Sequence, residues 1–207
     1  MSSSGPSKPC LCRGSPDRGR LSARWSPPPG ALHFEYDGRV TLSTRRLRLV
    51  ACPLELAQAL LGDRLEAGKR IGAALPPEWP APGLEETLPL YVQELLHDPA
   101  AVGWGIWISV AREANVVVGD AGFKGRPDAS GIVEIGYGTA PVHRNRGYAT
   151  EAVRALVGWA LTHPEVERVV AECAPENAAS IRVLEKAGFR RICAGEESLR
   201  WERPRPA

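Results

Sequence analysis

The sequence lacks any apolar run approaching the roughly 18 to 20 residues that cross a bilayer, and no apolar stretch follows Met1. Neither a membrane span nor a secretory signal is therefore expected. Histidine is scarce, four in 207 residues, and none stands at metal-ligand spacing, so metal chemistry is not expected. The five cysteines (Cys10, Cys12, Cys52, Cys173, Cys193) form no C-x-x-C pair, and their number is odd. They read as reduced thiols, with a cytoplasmic setting as the expectation. No Gly-Lys-Ser or Gly-Lys-Thr occurs, which excludes a Walker loop.

A large excess of one charge is absent too. The formal net charge is +2, and residues 1–30 hold five bases against one acid, leaving 21 bases and 23 acids in the rest. A body of that balance sets up no general field for nucleic acid, so any anion site must be local. With 43% hydrophobic and 24% charged residues, the composition suits a globular protein with one sizeable core.

Residues 1–30 contain six Pro, four Gly and seven Ser. They offer too little apolar surface to fold, and their Pro and Gly density opposes an amphipathic targeting helix. We expect a disordered extension over 1–40 and one domain over 41–207. "TRRLRLVAC" (44–52) alternates as a half-buried strand, and Pro53 opens a helix that stops at Gly62. A Pro-rich loop (75–83) precedes a helix from about Glu85 to His97. Runs 104–110 and 115–123 form a hairpin, in which the spacing of Trp104 and Trp107 lets at most one face the core. A third strand, 130–138, is interrupted by Gly136 and Gly138, the signature of a bulge or a close approach. From Gly147 to Leu161, Ala149, Ala152, Val153, Leu156 and Ala160 share one helical face, and Trp159 reads as packing. Strand 167–173 follows. Then comes the helix "NAASIRVLEKAGF" (177–189), capped by Asn177 and ended by Gly188, and two short strands close the chain. This order predicts an α/β fold of mixed α+β type, with a mixed sheet between helices.

The chemistry concentrates in "GYGTAPVHRNRGYATEAV" (136–153). A dinucleotide fingerprint fails because Pro141 stands where the third glycine belongs. What remains is Arg144-Asn145-Arg146-Gly147-Tyr148-Ala149, a loop leaving a bulged strand and entering a helix. Backbone N–H groups there have no intrahelical partners, and the helix dipole adds partial positive charge. Such a nest suits a pyrophosphate, and Gly147 and Ala149 let it approach closely.

This loop resembles motif A of the GNAT superfamily of acyl-CoA N-acyltransferases, and "NAASIRVLEKAGF" matches the family's N-x-x-S-x-x-x-L-x-x-x-GF signature. The likeness runs from about Thr44 to Arg191. With "LSTRRLRL" and "EIGYG" it is nearest the branch that resembles ribosomal-protein alanine N-acetyltransferases. It implies a mostly antiparallel mixed sheet with one splayed parallel pair (130–138 and 167–173) and helices on both faces. It also implies acetyl-CoA as acyl donor, with contacts from Tyr137, Gly138, Thr139, Arg144, Asn145, Arg146, Gly147, Tyr148, Ala149, Thr150 and Asn177. An amine, on a small molecule or a peptide N-terminus, would attack the thioester directly in a monomer or homodimer. Glu134 is the candidate base, acting directly or through a water, or else merely an outward-facing residue or the partner of an arginine. The tyrosine acid common in the family is replaced by Leu184, leaving Ser180 near the sulfur, unless its hydroxyl bonds its own helix. Trp79, Tyr91 and Phe123 are the candidate acceptor contacts. The missing tyrosine leaves one alternative, a catalytically weak acyl-CoA-binding or sensing module.

Overall fold

The computed structural model describes residues 32–34, 40–195 and 197–206. Of the expected extension, residues 1–31 and 35–39 lie outside the described residues, as do Cys10 and Cys12. Among the described residues, nine strands form one sheet in the order β1-β2-β3-β4-β5-β6-β7-β9-β8. They are β1 (Leu32–Phe34), β2 (Val40–Ser43), β3 (Leu47–Ala51), β4 (Ile106–Ala111), β5 (Val116–Phe123), β6 (Ile132–Thr139), β7 (Arg168–Cys173), β8 (Arg190–Ala194) and β9 (Leu199–Pro204). Every neighbouring pair is antiparallel except β6 and β7. The described helices flank it: α1 (Leu54–Gly62), α2 (Arg64–Ile71), α3 (Pro82–His97), α4 (Tyr148–Ala160) and α5 (Ala178–Lys186). This is the mixed sheet with one parallel pair that the resemblance implies.

The departures from expectation are local. The stretch 44–52 is not one strand: Thr44 N–H and its hydroxyl both bond the Leu47 carbonyl, making a tight turn between β2 and β3. β1 lies inside the expected extension and pairs with β2 through Leu32 to Phe34, so the sheet starts earlier than composition suggests. Backbone pairing onto an existing edge needs little apolar surface of its own. Helix α2 follows α1 directly because Asp63 caps it, Oδ1 accepting from Glu66 N–H at 2.9 Å. Its polar sequence and Gly68 conceal it from a periodicity reading.

Two cores sandwich the sheet. On one face, α1 to α3 cover Val50, Ile106, Ile108 and Val110. On the other, α4 and α5 cover Leu47, Leu49, Val133, Ile135 and Val169 with Leu156 and Leu184. Trp104 and Trp107 are both buried in this second core, against the expectation that only one could be. Trp104 precedes β4, outside the pleat, so the alternation rule does not bind it. Its ring sits 4.8 Å from that of Trp159, which also packs Phe123 and Trp107. No helix among the described residues is long and apolar enough to cross a membrane.

Candidate active site

β6 is held along its two edges over different stretches. Against β5 it pairs from Ile135 to Thr139, but against β7 only Ile132, Val133 and Glu134 are in register. Beyond Glu134 the parallel strands part. The Glu134 carbonyl accepts from Lys124 N–H, and Ala140 N–H donates to Val118. Alternation along a strand then turns the N–H and C=O of Tyr137 and Thr139 away from β5 into the gap. An open strand edge inside a protein is a place for another extended, amide-bearing chain to pair.

At the end of β6 a 3₁₀ turn (Pro141–His143) leads into the basic loop and α4. Asn145 (φ 61°) and Gly147 (φ 77°) are left-handed, which curls the loop and points successive N–H groups at one spot. Gly147 occupies the N-cap without a side-chain cap, so the first N–H groups of α4 stay available.

A clamp fixes this loop to the strand side. Glu151, in the first turn of α4, accepts from the Thr44 hydroxyl at 2.6 Å and from Arg46 backbone N–H at 2.8 Å. It also accepts from Arg46 Nε at 2.7 Å. Arg46 Nη1 donates onward to the Arg146 carbonyl at 2.9 Å, and its guanidinium lies 4.9 Å from the centre of the Tyr148 ring. Burial raises the Glu151 carboxyl, but the hydrogen bonds from Thr44 and Arg46 outweigh it and hold it below the usual glutamate range.

Two clefts meet at β6. The first, of ≈ 600 Å³, runs between the α4 loop and α5. The second, of ≈ 290 Å³, lies under α3, walled by Leu84, Thr87 and Ile106 with Asp120 in its lining. Both are lined by Tyr137 and Gly138.

The domain description "Acetyltransferase (GNAT) domain" matches residues 69–190, more than half of the chain. The chain belongs to the GNAT acetyltransferase family. It is 37% identical over 150 residues to the uncharacterized N-acetyltransferase YjdG of Bacillus subtilis, covering 72% of this chain and 89% of the relative. Its fold is similar to that of the ribosomal-protein-S5-alanine acetyltransferase from Vibrio fischeri (TM-score 0.55, 16% identity, 80% of this chain and 97% of that one). It is similar also to the ribosomal L7/L12 N-acetyltransferase RimL in complex with coenzyme A (TM-score 0.56, 18% identity, 78% and 95%).

Within this GNAT domain, the larger cleft gathers Tyr137, Gly138, Thr139, Arg144, Asn145, Gly147, Tyr148, Ala149, Thr150, Asn177 and Ser180. Arg146 is not in its lining; its carbonyl is spent on Arg46. Asn177 caps α5, Oδ1 accepting from Ser180 N–H at 3.0 Å, while facing the cleft. The Tyr137 hydroxyl donates to the Ser180 carbonyl at 3.2 Å. Burial pushes that phenol up to about 12, the hydrogen bond at Ser180 pulling the other way, so it stays neutral. Leu184 is completely buried in the core of the α4 and α5 face.

Of the three aromatics foreseen as acceptor contacts, Phe123 alone lines the smaller cleft. Trp79 is fully buried, its Nε1 donating to Asp120 Oδ1 at 2.9 Å. Tyr91 is buried over Gly105, where an added Cβ would stand 2.1 Å from the ring, and its hydroxyl bonds the Cys52 carbonyl. Tyr91 thereby fixes α3, the outer wall of the smaller cleft. Phe123 lines that cleft while packing on Trp104 and Trp159. Glu134 lines neither cleft; its carboxylate is ion-paired with Lys124.

Sequence reasoning passed over an imidazole, two cations and one acid. His143, Arg182 and Lys186 line the larger cleft, the last two spaced i, i+4 on a helix already foreseen. His143 Nδ1 is enclosed without a hydrogen-bond partner. Asp120, the lone acid in "VVVGDAGF", lines the smaller cleft. Among the described residues no cluster of His, Cys, Asp or Glu could hold a metal.

Gly136 offers a clean probe of the smaller cleft, which it lines. An added Cβ there meets nothing within 4 Å. Gly136→Val is expected to fold normally and raise the KM for the acceptor at least tenfold, with acetyl-CoA affinity unchanged. Steady-state kinetics with calorimetry checks this, and an unaltered KM would mean the acceptor binds elsewhere.

Proposed function

We propose that this chain transfers the acetyl group of acetyl-CoA to a primary amine, on a small molecule or a peptide N-terminus. The observation that carries the reading is the meeting of two clefts at Tyr137 and Gly138, beside the open edge of β6. One is lined for an anion-bearing chain, the other for a small acceptor.

The residues fit acetyl-CoA. Filling the Gly147 position with a side chain would strain its left-handed backbone and bring a Cβ to 3.4 Å from Arg46 Nη2. The N–H groups at the start of α4 would hold the pyrophosphate, with Arg144, Arg182 and Lys186 adding charge. The edge formed by Tyr137 and Thr139 would pair with the pantetheine amides, and the partnerless His143 Nδ1 gives one further polar contact. Structures of similar fold support the donor: one is a complex with coenzyme A, and the microcin C7 self-immunity acetyltransferase is bound to acetyl-CoA and AMP.

In the transfer, the amine nitrogen bonds the acetyl carbon, the carbon–sulfur bond breaks, and the sulfur takes up a proton. Backbone N–H groups of β6 facing the gap would stabilise charge on the carbonyl oxygen. Ser180 would supply or relay the proton to sulfur; a thiol of ordinary pKa near 8.5 is a fair leaving group, so a weak acid suffices. Glu134, held by Lys124, is the sequence-derived candidate for the base. Among the described residues, Cys52 and Cys173 stand outside any disulfide, which supports a reducing, cytoplasmic setting.

Calorimetric titration with acetyl-CoA and a thiol-release assay across amines test this. Sub-millimolar binding with amine-dependent thiol release is expected; no heat at millimolar ligand would overturn it. Leu184, buried where many relatives place a tyrosine, favours one second reading, a binding module. Tight binding without thiol release on any amine would select it.

A further inference from the structure

We propose that Asp120, rather than Glu134, is the carboxylate that receives the incoming ammonium group and takes its proton. This rests on the acetyltransferase reading above. Asp120 sits opposite Gly138 in the β5–β6 ladder, its side chain on the same sheet face as that glycine. A Cβ at Gly138 would stand 3.3 Å from Asp120 Oδ2, so the carboxylate lies directly over the bare backbone of a residue shared by both clefts. Among the residues that line the two clefts, Asp120 is the one acid.

The group is enclosed but not compensated. Trp79 Nε1 holds Oδ1, and the indole is itself fixed because Arg64 donates to the carbonyls of Trp79 and Pro76. Among the described residues no cation is ion-paired with Asp120. Lys124 is the other charged residue in the lining of the smaller cleft, and Glu94 of α3 acts on the Tyr91 phenol. Lys124 pairs with Glu134, and the Cys52 thiol and Tyr91 phenol are pushed up by burial and stay neutral. The α3 wall contributes Leu84 and Thr87, neither of which titrates. Burial raises the Asp120 carboxyl above the usual range, the Trp79 hydrogen bond only partly opposing it. A half-buried carboxylate without a paired cation, opening on a mostly apolar cleft, is a receptor for one small cation. The acceptor class is therefore a primary amine that arrives as ammonium on an uncharged, mostly apolar stem.

The proton count closes. Asp120 takes one proton from R–NH₃⁺, freeing the lone pair. The nitrogen bonds the acetyl carbon, and a second nitrogen proton leaves with the sulfur as thiol. The third stays on the amide, and Asp120 returns its proton to solvent.

The test uses the full chain and n-butylamine. In the wild type, the Trp79 indole N–H resonance (assigned by Trp79→Phe) should shift on titration with butylammonium, saturating at one site. Asp120→Asn should abolish the shift while acetyl-CoA affinity stays within twofold, showing an intact fold. Binding of the amine should strengthen as pH rises through the raised Asp120 pKa and weaken again near pH 10, where the amine loses its charge. Asp120→Asn should remove the acid limb and, with any amine that turns over, lower kcat/KM about 100-fold. Glu134→Gln should retain the limb. No indole shift in the wild type, or a limb that survives Asp120→Asn and vanishes in Glu134→Gln, overturns the proposal. Failure of the acetyltransferase reading would show separately, as absent acetyl-CoA binding or absent thiol release in the wild type.

Discussion

Gly147→Glu is expected to reduce acetyl-CoA binding by at least about 100-fold, to the limit of calorimetric detection. Two effects combine. The left-handed backbone at φ 77° disfavours any side chain by roughly 1–2 kcal/mol, which loosens the loop. The carboxylate then stands where the pyrophosphate must, and like charges at that range oppose binding by several kcal/mol. A loss of about 2.7 kcal/mol is already 100-fold. Gly147→Ala separates the two, since it keeps the strain without the charge and should weaken binding less than tenfold. If Gly147→Glu binds as tightly as the wild type, the nest is not the pyrophosphate site.

Glu151→Ala is expected to produce the largest loss of stability among the site variants, roughly 2–3 kcal/mol, because three donors lose one acceptor. For a chain of this size that lowers the melting temperature by about 5–10 °C. The affinity for acetyl-CoA should fall too, about tenfold, since Arg46 then loses its hold on the Arg146 carbonyl and the loop. The same carboxylate predicts an acid signature. Its folded pKa lies below the unfolded value, so its stabilisation is complete above the ordinary glutamate range and is lost as pH falls through the folded pKa. Melting curves of the wild type should therefore drop more steeply below about pH 4.3 than those of Glu151→Gln. Parallel curves for the two proteins would show that the clamp adds nothing.

The larger cleft was largely legible because local backbone requirements write it into neighbouring residues. Gly147 and Asn145 announce a curled loop, Gly136 and Gly138 a disturbed strand, and Asn177 to Gly188 a capped helix, all within short windows. The smaller cleft was not. Trp79 and Tyr91 looked like pocket aromatics, yet both are buried as supports, one under Asp120 and one over Gly105. Their roles depend on contacts 41 and 39 residues away along the chain, which no periodicity encodes. Asp120 itself reads as one polar residue in an apolar strand until the register sets it against Gly138. Helix α2 escaped for the opposite reason, having too few apolar residues to form a stripe.

β7 meets β6 at three positions but β9 at six, so the strand bordering the gap is secured mainly from its far side. Without β9, β7 would keep only its weaker partner, and the gap beside β6 would lose a fixed border. Deletion of residues 199–206 should therefore cost the protein its acetyl-CoA binding even though every residue of the phosphate loop remains.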